Sequence, residues 1–204
     1  VPTSRSYQDP CGIARALDVV GERWALLVVR ELLLGGRRFS DLRRALPRAS
    51  SNMLADRLRE LESHGVVHRP RPPLYELTPW GRDLEPVLLS LGSWALREVP
   101  VPDGPLHLSA VSILLFLRGS LRSPVPLTLR VDLDETPWTV RTSGAGTEVE
   151  QGAPETADAA LATTPLILND LAAAGFGAAL DAALADGRVT ATGDLPALRG
   201  LRVA

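Results

Sequence analysis

The chain has 204 residues, 45% of them hydrophobic and 23% charged, with a single cysteine and a net charge of −2. These values exclude a disulfide-built scaffold, argue against a general polyanion binder, and suit one large or two small globular domains. The longest apolar runs, such as AVSILLFL (110–117), are too short to span a bilayer, and VPTSRSYQDP (1–10) lacks an apolar signal core, so a cytoplasmic chain without membrane insertion is expected.

Charge is spread unevenly. Residues 1–99 hold 15 Arg against 12 acids, whereas residues 100–204 hold 7 Arg against 12 acids. Nine Arg and only four acids fall within 37–71, so positive charge gathers there. Lysine is absent, and Arg suits phosphate contacts because its planar fork binds oxygens in pairs.

In chain order, CGIARALDVVGERWALLVVRELLLGG (11–36) reads as two helices divided at Gly21–Glu22, with Gly35–Gly36 closing the second. RFSDLRRAL (38–46) reads as a helix with Ser40 as N-cap, and Pro47 closes it. PRASSNMLADRLRELESHG (47–65) reads as a further helix with Ser50 as N-cap. Its Leu54, Leu58 and Leu61 share one face, and Asn52, Asp56, Arg59 and Ser63 lie roughly opposite. VVHRP and LYELT resemble short strands joined through a Pro-rich turn. TPWGRDLEPVLLSLGSWALREV (78–99) reads as a helix with Thr78 as N-cap and Pro86 either kinking it or near its start. REVPVPDGPLH (97–107) breaks all periodicity, and the domain boundary is placed there, giving 1–99 and 106–204.

The second half reads as α+β. LHLSAVSILLFLRGS (106–120) is an apolar helix. PLTLRVDLDETPWTVRTS (126–143) alternates as two strands around a turn at 134–136, with Leu127, Leu129, Val131, Trp138 and Val140 on the inner face. GTEVEQG and DAALATT are further strands, 165–187 is a helix pair broken at Gly175, RVTATGD is a last strand and LPALRGLRV a last helix. The expected fold class is α+β: a winged helix-turn-helix unit, then a unit with an antiparallel sheet and helices on one face.

Helix, helix, short turn, helix and hairpin is the winged helix-turn-helix order. The stretch over 11–95 also resembles the HxlR family of bacterial winged-helix regulators. The matching pieces are the early Cys11, GERW (21–24), REL (30–32), RRFSDLRRALP (37–47), MLADRLRELESHGVV (53–67) and YELTPWG (75–81). The wing HRPRPPLYEL is shorter than the family usually carries. The resemblance implies a homodimer on a palindromic double-stranded DNA operator, with the helix ending in Trp94 and the N-terminal helix at the dimer interface. It also implies a thiol switch at Cys11 in some members, against the simpler reading of an inert thiol.

On that reading the helix at 51–63 faces the major groove with Ser51, Asn52, Ala55, Asp56 and Arg59, and Ser50 caps it. A helix N-terminus with free N–H groups attracts phosphate, Asn pairs with adenine, and Arg pairs with guanine or phosphate. By itself the same helix reads rather as a capped surface helix laced with Arg–Glu pairs; the preceding helix, the hairpin and the resemblance reverse that. Asp56 accepts from cytosine or orients a neighbouring Arg; the sequence leaves both open. Arg37, Arg38, Ser40, Arg48, Arg69 and Arg71 are expected at the DNA backbone.

The second half is similar to the sterol-carrier-protein-like domain in element order and in DAALATTPLILNDL (158–171) and ALADGRVTATGDLPALRGL (183–201). That resemblance implies a pocket for an apolar small-molecule effector, with Phe116, Leu129, Val131, Trp138, Val140, Leu161, Leu168, Leu171 and Phe176 as lining candidates or as plain core. The three histidines, His64, His68 and His107, lack acidic or cysteine companions, so no metal is expected. No P-loop or GxGxxG occurs, so no cofactor and no enzyme activity are expected. The rival to a DNA-binding regulator is a small-molecule carrier or accessory enzyme whose winged helix only dimerises.

Overall fold

Apolar spacing in GIARALDVV and ALLVVREL produces α1 (Gly12–Val20) and α2 (Ala25–Leu32) in the computed structural model, which describes residues 6–203. The link between them ends on Trp24 at φ +78°, a left-handed backbone that a bulky residue adopts only under restraint. The Arg23 guanidinium lies 5.2 Å from the Trp24 ring centroid. β1 (Arg37–Arg38) leads directly into α3 (Phe39–Ala45). This corrects Ser40 as the cap: the Arg38 N–H donates to the Asp41 carboxylate at 3.2 Å, so the helix starts earlier and Ser40 sits in its first turn.

α4 (Ser51–Ser63) follows, and Gly65 at φ +73° ends it, with the Val66 N–H returning to the Leu61 carbonyl at 2.9 Å. β2 (Val67–His68) and β3 (Leu74–Leu77) form the hairpin, and β1 pairs with the other edge of β3. Arg37 stands opposite Tyr75, and Val67 opposite Leu77. The expected helix over 78–99 is two helices, α5 (Pro79–Arg82) and α6 (Glu85–Glu98). Pro86 falls in the first turn of α6, where a proline fits, and so marks a new start. The buried core of this unit joins Val28, Val29 and Leu32 with Leu42, Leu54, Leu58, Leu61 and Leu77.

Gly81 is required by contact. A Cβ there would lie 2.1 Å from the Val66 carbonyl oxygen, while the Thr78 hydroxyl donates to the Gly65 carbonyl at 2.7 Å and accepts from the Gly81 N–H at 3.0 Å. Gly81→Ala is expected to destabilise the unit by about 1–3 kcal/mol through overpacking. Thermal denaturation checks this against Gly119→Ala, where a Cβ meets nothing within 4 Å.

The chain divides between Gly104 and Pro105 into two compact units. The second unit opens with α7 (Ala110–Ser120), which starts later than the expected 106 because the Ser109 hydroxyl caps it, accepting from the Ser112 N–H at 3.2 Å. Then follow β4 (Leu121–Arg122), β5 (Leu127–Leu133), β6 (Thr136–Thr142), β7 (Thr147–Gln151), β8 (Ala159–Thr163), α8 (Pro165–Ala174), α9 (Phe176–Ala185), β9 (Thr190–Gly193), α10 (Leu195–Arg199) and β10 (Arg202–Val203). Asp134 and Glu135, at φ +48° and +66°, make the tight turn between β5 and β6.

The sheet order is β7-β6-β5-β8-β9, and β8 lies parallel to β5. The expected antiparallel sheet is therefore corrected to a mixed one. Residues 152–158 carry the chain from one side of β6 to the far side of β5, roughly 14 Å at three strand spacings. Asp158 fixes the landing: its carboxylate accepts from the Thr128 N–H at 2.7 Å and its own N–H donates to the Thr128 carbonyl at 2.8 Å. A second correction concerns the C-terminus. The expected last helix is only α10, and the following β10 pairs with β4. One sheet face, with Leu129, Val131, Trp138, Val140 and Leu161, is buried. The other carries ion pairs such as Arg130–Asp132 and Arg141–Glu150, as expected for a sheet with one wet face.

Candidate nucleic-acid interface

α3, the turn after it and α4 position the site. Leu42, Leu46 and Ala49 are buried, and the Arg43 guanidinium donates to the Ala49 carbonyl, which closes the turn from inside. Ser50 then caps α4, its hydroxyl accepting from the Met53 N–H at 3.2 Å. Leu54, Leu58 and Leu61 hold α4 to the core, and α4 packs on α1 and α2. This leaves Ser51, Asn52, Ala55, Asp56 and Arg59 together on the outward side, with Asn52, Ala55, Asp56 and Arg59 at the i, i+3, i+4 and i+7 spacing of one stripe.

The arginines expected at DNA separate into two groups. Arg38, Arg48, Arg59 and Arg71 are exposed. Arg37 is not: burial pulls its guanidinium below the ordinary arginine value, while Glu31 and Asp41 oppose that shift. Glu31 is itself buried and accepts from Arg30 at 2.7 and 3.0 Å. Arg37 is thus half-buried in β1 and feels the charges of Glu31 and Asp41, unlike the exposed arginines. Arg69 is exposed but engaged. It donates to Glu62 at 3.1 and 3.2 Å, which raises its pKa, and its guanidinium lies 5.5 Å from the Tyr75 ring centroid.

Two exposed residues at this surface escaped the sequence reading. Met53 sits beside Asn52 on α4 and is exposed, although its place next to Leu54 suggests core. Its angular offset of about 100° from Leu54 was the available signal. Arg44, on α3, is exposed and only loosely paired with Asp41 at 3.8 Å.

Cys11 is exposed immediately before α1, and its N–H donates to the Asp9 carboxylate at 2.9 Å. Among the described residues, no group of three or more His, Cys, Asp or Glu is placed to hold a metal ion, and no helix is long and apolar enough to cross a membrane.

In the second unit, Leu129, Val131, Trp138, Val140, Leu161, Leu168, Leu171 and Phe176 come together as buried core. Phe116 does not join them; it is 43% exposed, because α7 directs Ile113, Leu114 and Leu117 inward instead. The unit also has an open cleft of about 750 Å³ at one end of the sheet, lined by polar groups such as Thr128, Arg141, Ser143 and Asp158 and by none of those nine residues.

Residues 19–101 match the family model described as HxlR-like helix-turn-helix. The chain is 42% identical over 91 residues to the uncharacterized HTH-type transcriptional regulator YvaP of Bacillus subtilis (strain 168), a match covering 42% of this chain and 84% of that protein. It is 41% identical over 98 residues to the uncharacterized HTH-type transcriptional regulator sll1512 of Synechocystis sp., covering 43% of this chain and 73% of that one. Among solved structures it is similar to the redox regulator HypR in its oxidized form, at 35% identity and a TM-score of 0.41, covering 45% of this chain and 100% of that chain. The family match ends at residue 101, so the second unit lies outside it. The family match and the two regulators, covered over most of their length, lead to one conclusion: the chain belongs to the HxlR-like helix-turn-helix family of transcriptional regulators.

Proposed function

We propose that the chain binds a palindromic DNA operator as a homodimer and reads it with α4. The observation that carries this reading is the outward stripe Asn52–Ala55–Asp56–Arg59 behind a capped, donor-bearing helix N-terminus, on a helix otherwise fixed by leucines. Arg38, Arg48 and Arg71 are assigned to phosphates on either side, and Ser40, Ser50 and Ser51 to the close approach of backbone to DNA. The dimer is supported by α6, which has no buried residue and leaves Val87, Leu89, Leu91, Trp94 and Leu96 between 45% and 79% exposed, and by Ile13 and Leu17 on α1. Apolar surface of that extent calls for a partner, and a two-fold dimer suits half-sites about one DNA turn apart.

Residues 105–204 are read as a sterol-carrier-like regulatory unit responding to an apolar small molecule. Its strand and helix order and its separate core support this reading.

The test is fluorescence anisotropy on duplexes selected from a randomised pool, across salt, with the dimer confirmed by sedimentation. Sequence-preferring, salt-dependent binding is expected. Arg59→Ala should lose about 1–3 kcal/mol of discrimination at one base pair. Arg48→Ala should weaken binding to all duplexes alike and lower the salt slope by about one. A folded dimer that prefers no sequence at any salt would overturn the proposal.

A further inference from the structure

We propose that Asp56 is a positioning residue for Arg59: it holds the guanidinium in one orientation on the outer face of α4, sharpening base preference while weakening binding to DNA in general. This rests on the DNA-reading function proposed above.

The two arginines of α4 stand two residues apart and have different fates. The Arg57 side chain is 15% exposed, is paired with Glu60, and lies 3.9 Å from Glu22 in the α1–α2 link. Its charge is committed to seating α4. The Arg59 side chain is 71% exposed and paired with Asp56 one turn earlier.

On a helix, a side chain meets neighbours three and four positions away. For Arg59 these are Ala55, Asp56, Glu62 and Ser63. Ala55 offers only a methyl group. Glu62 accepts two hydrogen bonds from Arg69, and the Ser63 hydroxyl donates back to the Glu60 carbonyl at 2.8 Å. Asp56 is thus the neighbour with a carboxylate to offer, and it sets which way the long Arg59 side chain extends.

Pre-orientation reduces the rotamer freedom Arg59 loses when it pairs in a bidentate manner with a base. The same carboxylate repels phosphates whatever the sequence. Two effects of opposite sign follow from its removal. Affinity for any duplex rises, and discrimination falls. A purely structural carboxylate would lower both. A carboxylate accepting directly from cytosine would act without Arg59.

The experiment uses the full chain, a duplex selected from a randomised pool, its single-base-pair variants and a scrambled duplex. Asp56→Asn is expected to bind the scrambled duplex about threefold or more tightly, having lost a repulsive charge. Its preference for the selected duplex at one base pair should fall about fivefold or more. Asp56→Glu keeps a carboxylate within reach of the i+3 guanidinium and should hold that preference within about twofold. In an Arg59→Ala background, adding Asp56→Asn should change the preference by less than about twofold. An unchanged preference in Asp56→Asn overturns the proposal, as does a further loss in the Arg59→Ala background, which would assign base reading to Asp56 itself. A parent chain with no sequence preference overturns the underlying function, and is recognised before any substitution is made.

Discussion

Trp138→Ala is expected to destabilise the second unit by about 3–5 kcal/mol, the range for removing a fully buried tryptophan. Trp138 is 0% exposed on β6, the second strand of the five-stranded sheet, opposite Val131 of β5 and Gln151 of β7. Its ring is the largest side chain on the buried face, and nothing smaller fills its volume. Urea denaturation followed by circular dichroism measures the loss. The result also bears on the regulatory reading. A tryptophan that borders an apolar cavity has fewer packing partners, so a loss below that range would point to a cavity beside it, whereas the full loss marks solid core.

Leu58→Ala is expected to cost the first unit about 2–5 kcal/mol. Leu58 lies between Leu54 and Leu61 on the buried side of α4, where α4 packs on α2. Loss of this anchor lets α4 shift, so DNA binding should weaken for every duplex together with stability. The adjacent Arg59→Ala should do the opposite, leaving thermal stability nearly unchanged while reducing discrimination at one base pair, because exposed ion pairs contribute little to folding. Denaturation and anisotropy on both variants separate the two faces of one helix. Equal melting temperatures for Leu58→Ala and the parent would mean that the leucine stripe does not seat α4.

Much of the first unit was legible from residues alone. The apolar spacing at 54, 58 and 61 needs a helix with one buried side and Ser50 needs to be its cap, both local constraints, whereas Pro86 left a kink and a helix start equally open and the structure shows a start. The start of α3 was less legible: Ser40 has the residue type of a cap, but the helix begins directly after Arg38, which pairs in β1 with β3. In the second unit, alternation marked β5 and β6 and their inner face. It carries no information on strand direction, so the parallel β5–β8 pair was missed, as was the meeting of β4 with β10, where Arg122 pairs with Arg202.

The candidate interface divides in the same way. The sequence by itself determined which residue types gather at 37–71, and that one side of α4 is leucine and the other polar, because helical periodicity is a property of the chain. Only the tertiary structure decided which carboxylates stand near which arginines. Arg37 and Arg57 are drawn toward Glu31, Glu22 and Glu60, and Arg69 toward Glu62, whereas Arg59 stays outward beside Asp56. Identical guanidinium groups acquire different roles from the carboxylates brought near them, and for Arg37 and Glu31, Arg57 and Glu22, or Arg69 and Glu62 those neighbours come from different elements of the fold.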